Sequence, residues 1–145
     1  MERNEKMILE TYTTEETYKI GEQLGREAKK GQVFCLTGDL GVGKTVFSKG
    51  FATGLGITQH ISSPTYTIVH EYDEDKVPFY HFDVYRIEDV EEMEEIGYEE
   101  YFYSQGISLV EWADKIKEII PQEAIWIKIE KDLEKGLEYR KITID

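Results

Sequence analysis

The sequence predicts an α/β fold: a mostly parallel central sheet flanked by helices, with antiparallel hairpins added to it. Three observations carry that prediction. "QVFCLT" and "GISLV" are short, nearly continuous apolar runs, the pattern of strands covered on both faces. A glycine-rich loop stands between the first of these runs and a helical stretch, giving the order strand, loop, helix. Two pairs of β-prone stretches, each pair split by a short polar segment, read as hairpins.

The elements follow in chain order. Met7 to Tyr12 can form a short strand. Thr13 followed by Glu16 is a capping-box pattern, and the helix it opens carries Thr17, Ile20, Leu24 and Ala28 along one face. Gly31 is the expected stop. After "QVFCLT" and the glycine loop, Lys44 to Leu55 reads as a helix with Gly56 past its end. "TYTIVHEY" and "VPFYHFDVY", separated by Asp73 to Lys76, form the first expected hairpin. Asp89 and Glu92 offer another helix start, with Gly97 as its end and Ile87, Val90, Met93 and Ile96 as its apolar face. "GISLV" runs into Glu111 and Trp112, then Ala113 to Ile120 looks helical until Pro121 stops it. "AIWIKIE" and "YRKITI" alternate and suggest the final hairpin.

With 145 residues, 40% of them hydrophobic, the chain fits a single globular domain spanning residues 1–145. A domain of this size buries roughly two-thirds of its unfolded surface, enough for a real core. No apolar run approaches the roughly 20 residues of a membrane span, and the polar start has no apolar signal segment. One cysteine, Cys35, excludes an internal disulfide, so a cytoplasmic location is the simplest expectation. The net charge is −13, with 17 basic against 30 acidic residues. Nucleic-acid backbones recruit Lys and Arg, so a direct grip on RNA or DNA is not expected. Protein partners, or a substrate held in a small positive site, are.

Gly38-Asp39-Leu40-Gly41-Val42-Gly43-Lys44-Thr45 matches G-x-x-x-x-G-K-[ST]. Glycines let the backbone wrap phosphate oxygens, successive N–H groups and the following helix N-terminus form an anion nest, Lys44 adds charge, and the Thr45 hydroxyl can ligate magnesium. Position 46, often a further hydroxyl, is Val46, so only its backbone can contact phosphate. A magnesium-nucleotide site also wants a carboxylate at the end of a neighbouring apolar strand. Glu111 in "SLVEW" and Asp83 in "HFDVY" supply two, at positions where an unpaired carboxylate would be costly. In "SSPTYTIV", Pro64 stiffens the approach to the hairpin, and Thr65 and Thr67 present hydroxyls where phosphate-loop proteins often sense the terminal phosphate.

Taken in order, "GDLGVGKTVFSKGFATGLGI", "SPTYTIVHEY", "YHFDVYRI", "EEIGYEEYF" and "LVEWADKI" resemble the bacterial TsaE family, also called YjeE or YdiB. The resemblance runs from about Thr13 to the C-terminus. It implies a P-loop NTPase-like fold and a small, slow ATPase needed for threonylcarbamoyladenosine formation on tRNA. Residues Asp39, Leu40, Gly41, Val42, Gly43, Lys44, Thr45 and Val46 would bind ATP, with Thr45 a Mg2+ ligand. Glu111 would ligate the metal directly or through water, and Asp83 would be the catalytic carboxylate. Thr65 would lie in a switch-like loop and Trp112 beside the site. "TTEET" and "GLEYRKI" match weaker parts of the family pattern, which implies nucleotide contacts from Thr14 and Arg140. The implied partners are the transferase subunit TsaD and its paralogue TsaB, with tRNA met only through that complex.

Two other features bear on partners. "IEDVEEMEEIGYEEY" is dense in acidic residues, a solvated helix or a docking surface for a basic partner. Arginine is confined to Arg3, Arg26, Arg86 and Arg140, so a weak lone ATPase completed or controlled by a partner is expected. His60, His70 and His81 lack metal-ligand spacing, and Cys35 reads as core. The competing readings are a small-molecule or nucleotide kinase, for which the chain leaves little length for a lid, a GTP switch, for which no N-K-x-D element is present, and a non-catalytic nucleotide-dependent module.

Overall fold

The computed structural model describes residues 6–38, 41, 43–62, 64, 68–73 and 77–145. Asp39, Leu40, Val42, Thr65 and Thr67 of the expected site lie outside the described residues, as does most of the predicted first hairpin turn.

Among the described residues, seven strands form one sheet: β1 (Met7–Thr11), β2 (Val33–Thr37), β3 (Val69–Tyr72), β4 (Phe79–Asp83), β5 (Ile107–Glu111), β6 (Ile125–Lys131) and β7 (Arg140–Ile144). Their order is β1-β7-β6-β2-β5-β4-β3. The inner four, β6-β2-β5-β4, are parallel. Hairpins β3–β4 and β6–β7 and the β1–β7 pair add antiparallel edges. The fold class is therefore the one the sequence predicts.

Each inner strand feeds two cores. Phe34 and Leu36, Phe79, Ile107 and Leu109, and Ile127 and Ile129 face one, with Phe47 and Phe51. Val33 and Cys35, Phe82 and Val110 face the other, with Ile87, Met93, Phe102 and Ile116. Cys35 is fully buried, and burial pushes its thiol pKa up, the inert state of a core cysteine.

Helix α1 (Thr14–Glu27) begins as its capping box predicts. Glu16 N–H donates to Thr13 Oγ1 at 3.1 Å, while the Glu16 carboxylate accepts from Tyr12 N–H at 2.7 Å. It ends earlier than Gly31, with Ala28 as its C-cap bonded back to Gly25. Its innermost positions are Thr17, Gly21 and Gly25, with Ile20, Leu24 and Ala28 only partly covered. The reason is the second helix, α2 (Lys44–Gly54). A Cβ on Gly21 or Gly25 would come within 2.4 and 2.1 Å of the Phe47 and Phe51 carbonyl oxygens. A Cβ on Gly50 or Gly54 would meet the Tyr18 and Glu22 carbonyl oxygens at 2.1 Å. Backbone touches backbone, a contact only glycine permits. Both sets of contacts advance in the same direction, so α1 and α2 run parallel with their N-termini at one end.

Helices α3 (Glu91–Ile96) and α4 (Tyr98–Phe102) hinge on Gly97 in the left-handed region (φ 82°). The sequence predicts α3 and its end but not α4. The helical stretch expected at Ala113 to Ile120 is a kinked 3₁₀ helix, Ala113–Ile119, with non-helical φ/ψ at Ile116. No helix among the described residues is long and apolar enough to cross a membrane.

Candidate functional site

Strand alternation aims the site. Positions facing α1 and α2 run Ile107-Leu109-Glu111 on β5, Phe79-His81-Asp83 on β4 and Ile127-Ile129-Lys131 on β6. On β7, which runs the other way, the row reads Ile144-Ile142-Arg140 toward the same end. Apart from His81, each row is apolar in the core, and all turn charged at the end where the parallel strands have their carboxyl termini and α/β sheets hold ligands. The N-termini of α1 and α2 point to this same end.

Helix α2 starts on Gly43, left-handed at φ 99°, with no side-chain cap. Gly43 itself offers the first turn no capping side chain, which suits a helix N-terminus that receives an anion. Lys44 is only 7% exposed, although its charge would be expensive to bury alone. Its ammonium donates to the Gly38 carbonyl oxygen and lies 3.8 Å from the centroid of the Trp112 ring. Trp112 is held there by a left-handed backbone (φ 63°), rare for a bulky residue, with its N–H on Leu36 O at 3.0 Å. Tyr85 also packs against the indole, ring centroids 4.8 Å apart and planes tilted by 47°. Thr45 is exposed beside this cluster and Val46 half-buried.

Glu111 and Asp83 are register partners on adjacent strands, each 5% exposed. Asp83 Oδ1 accepts from Tyr85 N–H at 3.0 Å. Glu111 Oε2 accepts from His81 Nε2–H at 2.7 Å and from Ser48 Oγ–H at 3.1 Å. Ser48 lies one helical turn beyond Thr45, so Glu111 is engaged one turn deeper than the expected metal ligand. His81 Nδ1 and Ser108 Oγ are the buried side-chain polar atoms without a hydrogen-bond partner among the described residues. Ile68 O accepts from Asp83 N–H at 2.8 Å, and Ile68 N–H donates to Pro64 O at 2.7 Å. The flanks of the Ser-Pro-Thr segment are therefore tied to the Asp83 backbone.

Thr14 and Arg140 come together. They line a cleft of about 50 Å³ with Thr17, Gly43, Val46 and Glu138. Thr14 N–H and Oγ1 both donate to Glu138, at 2.8 and 3.2 Å. Arg140 Nη1 donates to the Leu137 and Tyr139 carbonyls at 3.0 and 2.6 Å. Arg86 is exposed. Sequence patterning alone does not single out His81, Ser48, Glu138 or Lys131 as parts of this site. The signal for His81 and Lys131 was present: each is a polar residue in an alternating row that otherwise faces the core.

The donor set fits a magnesium-bound nucleotide in kind. Uncapped helix N–H groups and a buried ammonium suit phosphate, and a threonine hydroxyl with a buried carboxylate suits a hard cation. No group of three or more His, Cys, Asp or Glu that could hold a metal by itself occurs among the described residues.

A family model described as "Threonylcarbamoyl adenosine biosynthesis protein TsaE" matches residues 11–142. The tRNA threonylcarbamoyladenosine biosynthesis protein TsaE of Bacillus subtilis (strain 168) is 50% identical over 133 residues, 92% of this chain and 81% of that protein. The protein of the same description from Aquifex aeolicus (strain VF5) is 40% identical over 119 residues, 81% of this chain and 83% of its own. Among solved structures, the crystal structure of Bacillus subtilis YdiB superposes with a TM-score of 0.80 at 41% identity, covering 99% of this chain and 87% of that one. A match across nearly the whole sheet, together with relatives this similar, makes the chain a member of the TsaE family with a P-loop-like fold.

Proposed function

We propose that this chain is an ATP-binding, magnesium-dependent ATPase of low intrinsic rate that acts in tRNA threonylcarbamoyladenosine biosynthesis. In this reading it is a cytoplasmic protein that supports a TsaB–TsaD transferase complex. The observation that carries the reading is the convergence on α2: a buried Lys44 perched on Trp112, with Glu111 and Asp83 side by side at the strand ends.

Each residue has a task. The loop backbone and the first turn of α2 bind the phosphates. Lys44 exchanges the Gly38 carbonyl for phosphate oxygens. Thr45, and Glu111 directly or through a water, would hold Mg2+, which when bound neutralises charge on the phosphate oxygens. Asp83, fixed through Oδ1 by Tyr85 N–H, orients the attacking water. Thr65, Thr14, Trp112 and Arg140 flank the nucleotide. With a net charge of −13 the chain leaves tRNA to the other subunits.

The test is phosphate release from ATP without an acceptor, alone and with purified TsaB–TsaD. The expected result is slow, Mg2+-dependent release that the complex stimulates, with ATP-dependent association. Release that requires a small acceptor would make the protein a kinase instead. Absence of both association and stimulation would remove the partner claim.

A further inference from the structure

The rows that face α2 end differently on the two sides of the phosphate loop. On the β5–β4 side they end in the carboxylates Glu111 and Asp83. On the β6–β7 side they end in Lys131 and Arg140, which stand directly opposite each other in the antiparallel register. Like charges facing across a ladder cost stability, and basic residues are the minority in this chain. Both cations reach the loop itself. A Cβ built on Gly41 would lie 3.6 Å from Lys131 Nζ, and one on Gly43 would lie 3.7 Å from Arg140 Nε. The Arg140 guanidinium is pinned by its bonds to two backbone carbonyls, so its approach to Gly43 is fixed before any ligand arrives. Lys128, another lysine of the hairpin, lies on the opposite face of β6 and pairs with Glu130 at 3.7 Å.

We propose that Lys131, with Arg140, forms a cationic wall holding the α- and β-phosphates of a bound nucleoside di- or triphosphate. The proposal rests on the nucleotide reading above. The carboxylate side repels bare phosphate, so the terminal phosphate with its metal belongs there. The part of the tail common to ADP and ATP then lies against the hairpin. A site built this way recognises the diphosphate without the metal, and it supplies from within the chain part of the positive charge that scarce arginine would otherwise leave to a partner.

The test is isothermal titration with ADP and with ATP in the absence of Mg2+. Lys131→Gln should weaken both by a similar factor, about tenfold, as expected for one charge-assisted contact. Lys131→Arg should restore most of the affinity, and Lys128→Gln should stay within about twofold of the wild type. The wild-type to Lys131→Gln difference should shrink at high salt. The melting temperature of nucleotide-free Lys131→Gln should not fall, since the change removes one of two facing cations. Unchanged ADP affinity in Lys131→Gln, or a loss confined to ATP, would overturn the proposal while leaving the nucleotide reading intact. Failure of the wild type to bind either nucleotide would overturn both.

Discussion

His81 Nε2 donates to Glu111 Oε2 at 2.7 Å, and both side chains are almost completely buried. Ser48 adds a second donor to the same oxygen at 3.1 Å. The carboxylate that is expected to serve the metal is thus oriented from the strand beside it and from the helix that carries Lys44. The ring of His81 lies nearly parallel to that of Phe79, interplanar angle 13°, and it is Nε2 that faces Glu111.

The first prediction follows from that nitrogen. Gln can place an amide N–H where Nε2 stands, and Asn cannot reach it. His81→Gln should keep most Mg2+-dependent phosphate release. His81→Asn and His81→Ala should lose about 10- to 100-fold, the usual cost of removing a residue that orients a ligand. A purely structural role would move all three variants together with their melting temperatures. A Mg2+ titration of ATPase rate, set beside thermal unfolding, separates the two.

Much of this site was legible in the sequence because it depends on local chemistry. The loop and the uncapped start of α2 follow from Gly43 and Lys44 being adjacent, and Glu111 and Asp83 from carboxylates that end apolar strands. The partnership of His81 with Glu111 was not legible: it depends on β4 lying beside β5, a pairing between segments 30 residues apart. The face of α1 that meets the core was legible, since Ile20, Leu24 and Ala28 pack there, but its closeness to α2 was not, for a related reason. Apolar periodicity points to Ile20 and Leu24, but the depth of a helix contact is decided by what the partner helix presents. Here α2 presents Gly50 and Gly54, and the backbones close on Gly21 and Gly25. Helix α4 escaped because five residues after a glycine carry too little periodicity to register.

The glycine contact yields the second prediction. In an open helix Gly→Ala stabilises by up to about 1 kcal/mol. At Gly25 the added methyl would lie 2.1 Å from the Phe51 carbonyl oxygen, a backbone atom that cannot swing aside. Gly25→Ala should therefore destabilise by about 2 kcal/mol or more by urea unfolding, as overpacking does. Lys19→Ala, on the exposed side of the same helix, should stay within about 0.5 kcal/mol. Because α1 holds α2, Gly25→Ala should also weaken nucleotide binding without touching the site.

The third prediction concerns acid. Tyr139 O–H donates to Glu10 Oε2 at 2.6 Å, and Lys135 Nζ reaches the same oxygen at 3.4 Å. These bonds, the tyrosine's first, hold the Glu10 carboxyl below its ordinary range. A depressed folded-state pKa gives stability that is present above the unfolded pKa and lost as pH falls through the folded one. Tyr139→Phe should move the Glu10 titration upward by carbon-detected NMR. It should also cost more stability at neutral pH than under acid conditions, where Glu10 is protonated in both proteins. A stability gap that widens on acidification would contradict the assignment.

The last prediction uses Trp112 as its own reporter. Its indole lies under the Lys44 ammonium, 3.8 Å from the ring centroid, while the other tryptophan, Trp126, sits at the far end of the same sheet, at the start of β6. Phosphate entering the loop competes for that ammonium and draws it off the ring, so ADP or ATP should change Trp112 emission. Trp126→Phe should keep the signal and Trp112→Phe should abolish it. Lys44→Ala removes the cation from both the ring and the phosphates. It should change emission of the nucleotide-free protein, erase the nucleotide response, and lower phosphate release by about 100-fold or more, the scale of losing a preorganised charge at the reacting group. If Lys44→Ala still gave a full nucleotide-induced emission change, the lysine would not be the group that phosphate displaces. The perch over Trp112 would then be packing alone.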